Sequence, residues 1–268
     1  MDTPNTTVDT EALVLRDDNN GVAVLTLNRP AKFNALSGDL MTEIEKTLAA
    51  IAEDRSVRVV VLAANGKAFS AGHDLKEISG KTARDDVDAL FRQCSRMMLA
   101  VTHLPQPVIA RVHGIATAAG CQLAATCDLA VASTEARFAT SGINVGLFCA
   151  TPGVALSRNV PRKKAMEMLL TGDFIDADTA LALGLVNHVV APDELEDATN
   201  ALASKIAERS PQAISMGKEL FYRQLEGGLE AAYAAAVDTI VCNLMDGEAR
   251  EGIDAFISKQ PMPKWRDR

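Results

Sequence analysis

The sequence predicts an α/β fold, and three observations predict it. Short, continuously apolar runs such as "VRVVVLAA" (57–64) and "PVIARV" (107–112) are of the kind buried on both faces of a parallel sheet. Each is followed by a loop containing glycine and then by a stretch whose apolar residues recur at helical spacing. The alternation continues with no break in composition, as strands joined by crossover helices require.

The elements are expected in this order. "GVAVLTLNRP" (21–30) is a strand, because aliphatic and β-branched residues dominate until Asn28-Arg29-Pro30 turns the chain. Leu40, Ile44, Leu48 and Ile51 then fall on one helical face, with Ser37 placed to cap the helix. "VRVVVLAA" is the next strand and "NGKAFSAGHDL" (65–75) its loop. Charged sequence from Lys76 to Arg92 leads into a helix through Cys94, Met97, Met98 and Val101. The strand "PVIARV", the loop "HGIATAAG" (113–120), a helix holding Gln122 and the strand "DLAVAS" (128–133) follow.

Beyond Pro152 the chain reads as mostly helical. Thr151 is a candidate N-cap with Pro152 at the first helical position. "RKKAMEMLLTG" stops at Gly172, and "DADTALALG" runs from an Asp176 cap to Gly184. From Glu194 onward two or three amphipathic helices are expected. The organisation is thus a polar tail over 1–10, a core over 11–195 and a helical C-terminal region over 196–268.

Composition excludes several functions. The 268 residues, 48% hydrophobic and 23% charged, suffice for a sizeable core. A net charge of -8 repels phosphate backbones, so no nucleic-acid partner is expected. The apolar runs fall well short of the roughly 20 residues that span a bilayer, so no membrane role is expected. "MDTPNTTVDTEA" carries two Asp and a Glu, no Lys or Arg and no apolar stretch, which argues against a secretory or transit leader and makes cytoplasmic the expectation. Five scattered cysteines without a CxxC pair read as reduced thiols, and four isolated histidines without HExxH give no metal site.

The nucleotide signatures fail: "GKAFSAG" is not GxxxxGK[ST], "GIATAAG" is not GxGxxG, and no GxSxG surrounds Ser70 or Ser141. Two loops remain, "KAFSAGHDLKE" (67–77) and "HGIATAAGCQLAATCD" (113–128). Each follows a buried strand and offers backbone N–H groups among small residues, the second with a helix N-terminus directly behind it. Converging, they would form an oxyanion hole; plain turn geometry is the competing reading.

Together with "LNRP-AKFNAL", "LTGDFIDADTALALGLVNHVV" and "EGIDAFISK", these loops resemble the enoyl-CoA hydratase/isomerase (crotonase) superfamily over nearly the whole chain. The resemblance implies a spiral of ββα units, a C-terminal helical region that trimerises, and an acyl-CoA thioester bound between the two loops. It implies a homotrimer or dimer of trimers, a lyase or isomerase of fatty-acid metabolism, and no cofactor beyond the coenzyme A of the substrate. The oxyanion donors would be the backbone N–H groups of His73 and Ala119. The family usually has Gly at the second site; Ala keeps the N–H, but its methyl crowds the thioester and restricts φ. Lys32, Ala71 and Asp74 would line the CoA and acyl path, while Phe256 and Lys259 match residues that a neighbouring subunit lends to CoA.

Relatives that hydrate enoyl thioesters use two glutamates, at the positions of Gln122 and Gly142. An amide can orient water but cannot exchange a proton near neutral pH, and glycine does neither. Asp74, His73, Asp128, Thr140, Ser141 and Cys149 are the nearby groups weighed as replacements, and none is favoured. Three functions are therefore compatible with the sequence: acyl-CoA chemistry such as decarboxylation that needs the oxyanion hole more than a base, a weak or differently equipped hydratase or isomerase, and a non-catalytic acyl-CoA binding protein.

Overall fold

The computed structural model describes residues 12–265, so the tail expected over 1–10 lies outside the described residues. Strands β1 (Val14–Asn19) and β2 (Val22–Leu27) form an antiparallel hairpin. Its two-residue turn, Asn20-Gly21, has positive φ at both positions, the backbone that matches the twist of paired strands. Helix α1 (Gly38–Ala52) begins where expected: the Ser37 hydroxyl accepts the Leu40 N–H at 3.3 Å, and Leu40, Ile44, Leu48 and Ile51 are buried.

Three ββα turns follow. The first is β3 (Val59–Ala64), β4 (Ala68–Ser70), α2 (Leu75–Gly80) and α3 (Arg84–His103). The second is β5 (Val108–Val112), β6 (Ile115–Thr117) and α4 (Ala119–Thr126). The third is β7 (Leu129–Ser133), β8 (Arg137–Ala139), α5 (Ala150–Asn159) and α6 (Arg162–Thr171). After β9 (Ile175–Asp176), α7 (Ala177–Ala182) and β10 (His188–Val190), the chain ends in α8 (Leu195–Ala207), α9 (Pro211–Leu225), α10 (Leu229–Met245) and α11 (Gly247–Ile257).

The first strand of each turn enters a six-stranded sheet of order β1-β2-β3-β5-β7-β10, parallel from β2 onward. The second enters a smaller sheet, β4-β6-β8-β9, whose first three strands are parallel. The main core packs α1, α3 and α4 against these sheets, and α8 covers the opposite side, with Leu195 and Ala203 on Val59, Val61, Ile109 and Val131. Among the described residues no helix is long and apolar enough to cross a membrane.

Several elements differ from expectation for identifiable reasons. β4 and β6 lie inside stretches expected as loops, since three residues each are too few to show a period. α5 starts at Ala150 with Cys149 at its N-cap, so Pro152 lies in the first turn, where its missing N–H would be unpaired anyway. The region after Glu194 holds four helices where two or three are expected, because α8 packs back onto the sheet and Ser210-Pro211 restarts the chain with a side-chain cap.

α9 and α10 bury no residue completely and expose Phe221, Tyr233, Val237 and Ile240. What ties α9 down is polar. The Lys218 ammonium donates to Asp128 Oδ2 at 2.7 Å and to the Val101 and Gln106 carbonyls at 3.0 Å each. Tyr222 donates to Asp128 Oδ1 at 2.8 Å, and the Val108 N–H donates to Oδ2 at 2.7 Å.

Candidate active site

Three chain segments leave the small sheet side by side. β4 pairs with β6 through Ser70 and Ala116, and β6 pairs with β8 through Thr117 and Ala139. Because these strands are parallel, residues 71–74, Ala118 and residues 140–142 emerge at one edge, the carboxyl end where open α/β sheets bind ligands. The first two segments touch: a Cβ built on Gly72, whose φ is +87°, would lie 3.0 Å from the Ala119 nitrogen, and only glycine leaves that space.

Within the two loops some backbone donors are engaged and others, including those in the first turn of α4, are left over. In the first loop the Ala71 N–H bonds the Phe33 carbonyl, Gly72 the Ser70 hydroxyl and Asp74 the Leu36 carbonyl. In the second, Ala118 bonds the Ala139 carbonyl and Gln122 the Ala118 carbonyl. Among the described residues no acceptor takes the N–H of His73 or of Ala119. Ala119 is the first residue of α4, so its orphan N–H carries the partial positive charge of a helix start.

The feared restriction at Ala119 falls one residue earlier. Ala118 adopts φ 50° and ψ -121°, the first central conformation of a type II′ turn, which normally demands glycine. Strain of this kind costs about 1–3 kcal/mol and is held in place by surrounding structure at functional sites.

His73 and Ala119 both line a cavity of about 340 Å³ whose wall includes Phe91, Val145, Leu147 and Phe148. No Asp, Glu, Lys or Arg contributes to that wall. The His73 ring lines it, edge-on to Phe91 at 5.0 Å between centroids, with both ring nitrogens buried and unpartnered. Burial pushes its pKa below the ordinary 6.5; the Leu36 carbonyl, not placed to accept a hydrogen bond, and the Glu77 carboxylate oppose that only in part. Ser141 is engaged with Thr117 at 2.7 Å between hydroxyls, and Cys149 accepts the Gly142 N–H at 3.3 Å. Burial raises the Cys149 pKa, which keeps the thiol protonated.

The other expected site residues separate. Ala71 lines the cavity. Gln122 is 6% exposed with a buried, unpartnered Oε1, and it does not reach the cavity wall. Gly142 lines the cavity but has no room for a side chain, since a Cβ there would lie 2.6 Å from the Leu147 carbonyl oxygen and 2.8 Å from Cys149 Sγ. Asp74 caps α2 by accepting the Lys76 N–H and pairs with Arg29 at 3.3 Å. Burial would raise its pKa, but Arg29 and the backbone N–H groups outweigh it and hold the carboxyl below the usual range. Lys32 is exposed on a short 3-10 turn, and Phe256 and Lys259 are exposed at the end of α11, outside the cavity wall. Among the described residues no group of three His, Cys, Asp or Glu side chains could hold a metal ion. Val145, Leu147 and Phe148 are cavity residues that the sequence did not reveal, because apolar residues in an irregular loop carry no period.

The sequence profile of the enoyl-CoA hydratase/isomerase family matches residues 17–268. The chain belongs to that family. It is 45% identical over 253 residues to the Xenopus laevis enoyl-CoA hydratase domain-containing protein 3, mitochondrial, covering 94% of this chain and 86% of the relative. The human protein of the same name is also 45% identical, over 92% of this chain and 81% of its own. Two crystal structures superpose closely: an enoyl-CoA hydratase of Mycobacterium smegmatis (58% identity, 95% of this chain and 99% of the other, TM-score 0.93) and human enoyl-CoA hydratase domain-containing protein 3 (43%, 94% and 100%, TM-score 0.91). The expected crotonase fold is therefore established.

These relatives overturn the cytoplasmic expectation, because the proteins at 43–45% identity are named mitochondrial. The absence of leader chemistry from a dozen residues does not report a compartment.

Proposed function

We propose that this family member binds acyl-CoA thioesters and polarises their carbonyl without the two-carboxylate hydration machinery. The thioester oxygen accepts the His73 and Ala119 N–H groups, and the acyl chain enters the adjoining cavity. The observation that carries this reading is the pair of partnerless N–H donors at the border of a cavity whose wall has no carboxylate. Such donors stabilise negative charge on the oxygen, each typically contributing about 10²–10³ in rate. General acid–base catalysis, typically about 10²–10⁴, is the part withheld.

Ala71 borders the thioester, and Lys32 offers a cation to the CoA phosphates. The Asp74 carboxylate shapes the loop by capping α2 and holding Arg29. The exposed apolar residues of α9 and α10 are the contact surface of a homotrimer or dimer of trimers, which brings Phe256 and Lys259 to a neighbouring subunit's CoA.

The deciding experiment measures crotonyl-CoA binding by calorimetry and its hydration by absorbance, for wild type and Gln122→Glu. Binding with hydration at least about 100-fold below a two-glutamate relative is expected. Fast wild-type hydration, or no binding, overturns the proposal. Gln122→Glu restores little, because position 122 stays outside the cavity wall and position 142 admits no partner carboxylate. Light scattering tests the assembly, with a monomer refuting it.

A further inference from the structure

Resting on the thioester reading above, we infer that Ser70 is a positioning residue: its buried hydroxyl holds the first loop so that the His73 N–H points at the bound carbonyl, without touching the ligand itself. Ser70 is fully buried, ends β4 and is absent from the cavity wall. Its hydroxyl donates to the Asn34 carbonyl at 2.9 Å and accepts the Gly72 N–H at 3.3 Å. One side chain thus joins the loop to the turn before α1.

That turn aims the His73 donor. The Gly72 carbonyl accepts the Leu36 N–H at 2.7 Å, and the Asp74 N–H donates to the Leu36 carbonyl at 3.3 Å. In a trans peptide the C=O and N–H point in opposite directions, so with the Gly72 carbonyl turned toward Leu36 the His73 N–H faces away from it. The turn itself is firmly braced. Asn34 is fully buried; its Oδ1 accepts the Arg29 N–H at 2.8 Å, and its Nδ2 donates to the Asn65 and Ala68 carbonyls at 2.8 Å each. The Arg29 guanidinium adds bonds to the Ala35 carbonyl at 2.6 Å and to Asp74 at 3.3 Å. Slack enters at Gly72, whose φ of +87° lies where glycine moves freely, and the N–H of that residue is the one Ser70 holds.

Ser70 also meets the second loop. A Cβ built on Gly120, in the first turn of α4, would lie 2.8 Å from Ser70 Cβ and overlap the Ser70 carbonyl oxygen. Ser70 therefore stands between the segments that carry the two donors, with its hydroxyl on one and its backbone against the other. Without the hydroxyl, the buried Gly72 N–H and Asn34 carbonyl lose their partner, and the loop turns to recover one, carrying the His73 N–H with it.

The test reads the carbonyl itself. Infrared difference spectra of crotonyl-CoA, isotope-labelled at the thioester carbonyl and bound to the full chain, report polarisation as a fall in stretching frequency. Ser70→Ala is expected to show a smaller fall than the wild type and to bind about two- to tenfold more weakly, the worth of one hydrogen bond. Arg29→Gln, which loosens the same turn, is expected to shrink the fall as well. Ser133→Ala is the control, because Ser133 is equally buried and its hydroxyl accepts the Glu135 N–H at 3.0 Å at the end of β7. It is expected to keep the wild-type fall. A full fall in Ser70→Ala, or an equal loss in Ser133→Ala, overturns the inference while leaving the thioester reading intact. If Ser70→Ala does not fold, Arg29→Gln decides, and an unchanged fall there overturns the inference. Crotonyl-CoA that the wild type does not bind, or binds with no fall, overturns both.

Discussion

Replacing Asp128 by Asn should expose how much of the helical C-terminal region hangs on one buried carboxylate. Asp128 and Lys218 side chains are 15% and 7% exposed and 2.7 Å apart. Val108 and Tyr222 donate to different carboxylate oxygens, so in the amide one of them, with Lys218 beside it on the Oδ2 side, faces an NH2 group in place of an acceptor, and Lys218 loses its counter-charge while keeping the Val101 and Gln106 carbonyls. Burial already lowers the Lys218 pKa, with Asp128 opposing it, so the cation depends on this partner. Breaking a buried pair from one side costs about 3–5 kcal/mol. At roughly 2–4 °C per kcal/mol for a domain of this size, the melting temperature should drop by about 6–20 °C. Urea unfolding at fixed protein concentration measures it, and Asp128→Asn with Lys218→Met should cost less than the sum of the single changes. A single-variant cost below about 1 kcal/mol, or additivity within about 0.5 kcal/mol, would show that the pair behaves like a surface ion pair and refute the anchoring argument.

Three further outcomes are expected. Ala118→Gly should relieve the type II′ strain and stabilise by about 1 kcal/mol after glycine's entropic cost, and a lower melting temperature in scanning fluorimetry would show that the strain is absent. Gly142→Ala should destabilise by about 1–3 kcal/mol in urea unfolding, because the methyl meets the Leu147 carbonyl and Cys149, and a neutral result would mean that the loop yields freely. The folded-state pKa of His73 lies below 6.5, so as pH falls past 6.5 the unfolded chain binds the proton first; stability drops until the folded state is protonated too, then levels off. His73→Gln should flatten that decline between about pH 7.5 and 5.5 in urea midpoints, and parallel declines in both proteins would discount the histidine.

Local signals carried far into the fold. The Ser37 cap, the buried stripe of α1 and the left-handed Gly172 after α6 all stand where the residues indicate. β1 went unseen because "VLRDDN" presents charged residues to solvent along an edge, although Asn20-Gly21 is a hairpin signal. At the site, small residues in two loops could be recognised, but their meeting depends on the register of β4 against β6, which neither segment encodes alone. Nor could sequence show that Gln122 stays off the cavity wall, or that Asp128 would be claimed by residues 90 and 94 positions later.

The small sheet has a consequence for how chemistry varies on this scaffold. His73 and Ala119 stand in loops that leave two hydrogen-bonded parallel strands, so the segments carrying them are brought side by side by backbone pairing. Backbone pairing does not depend on which groups occupy the exposed loop beside it. Exposed side chains at positions 145, 147 and 148 can thus be traded while the paired strands hold the two loops together.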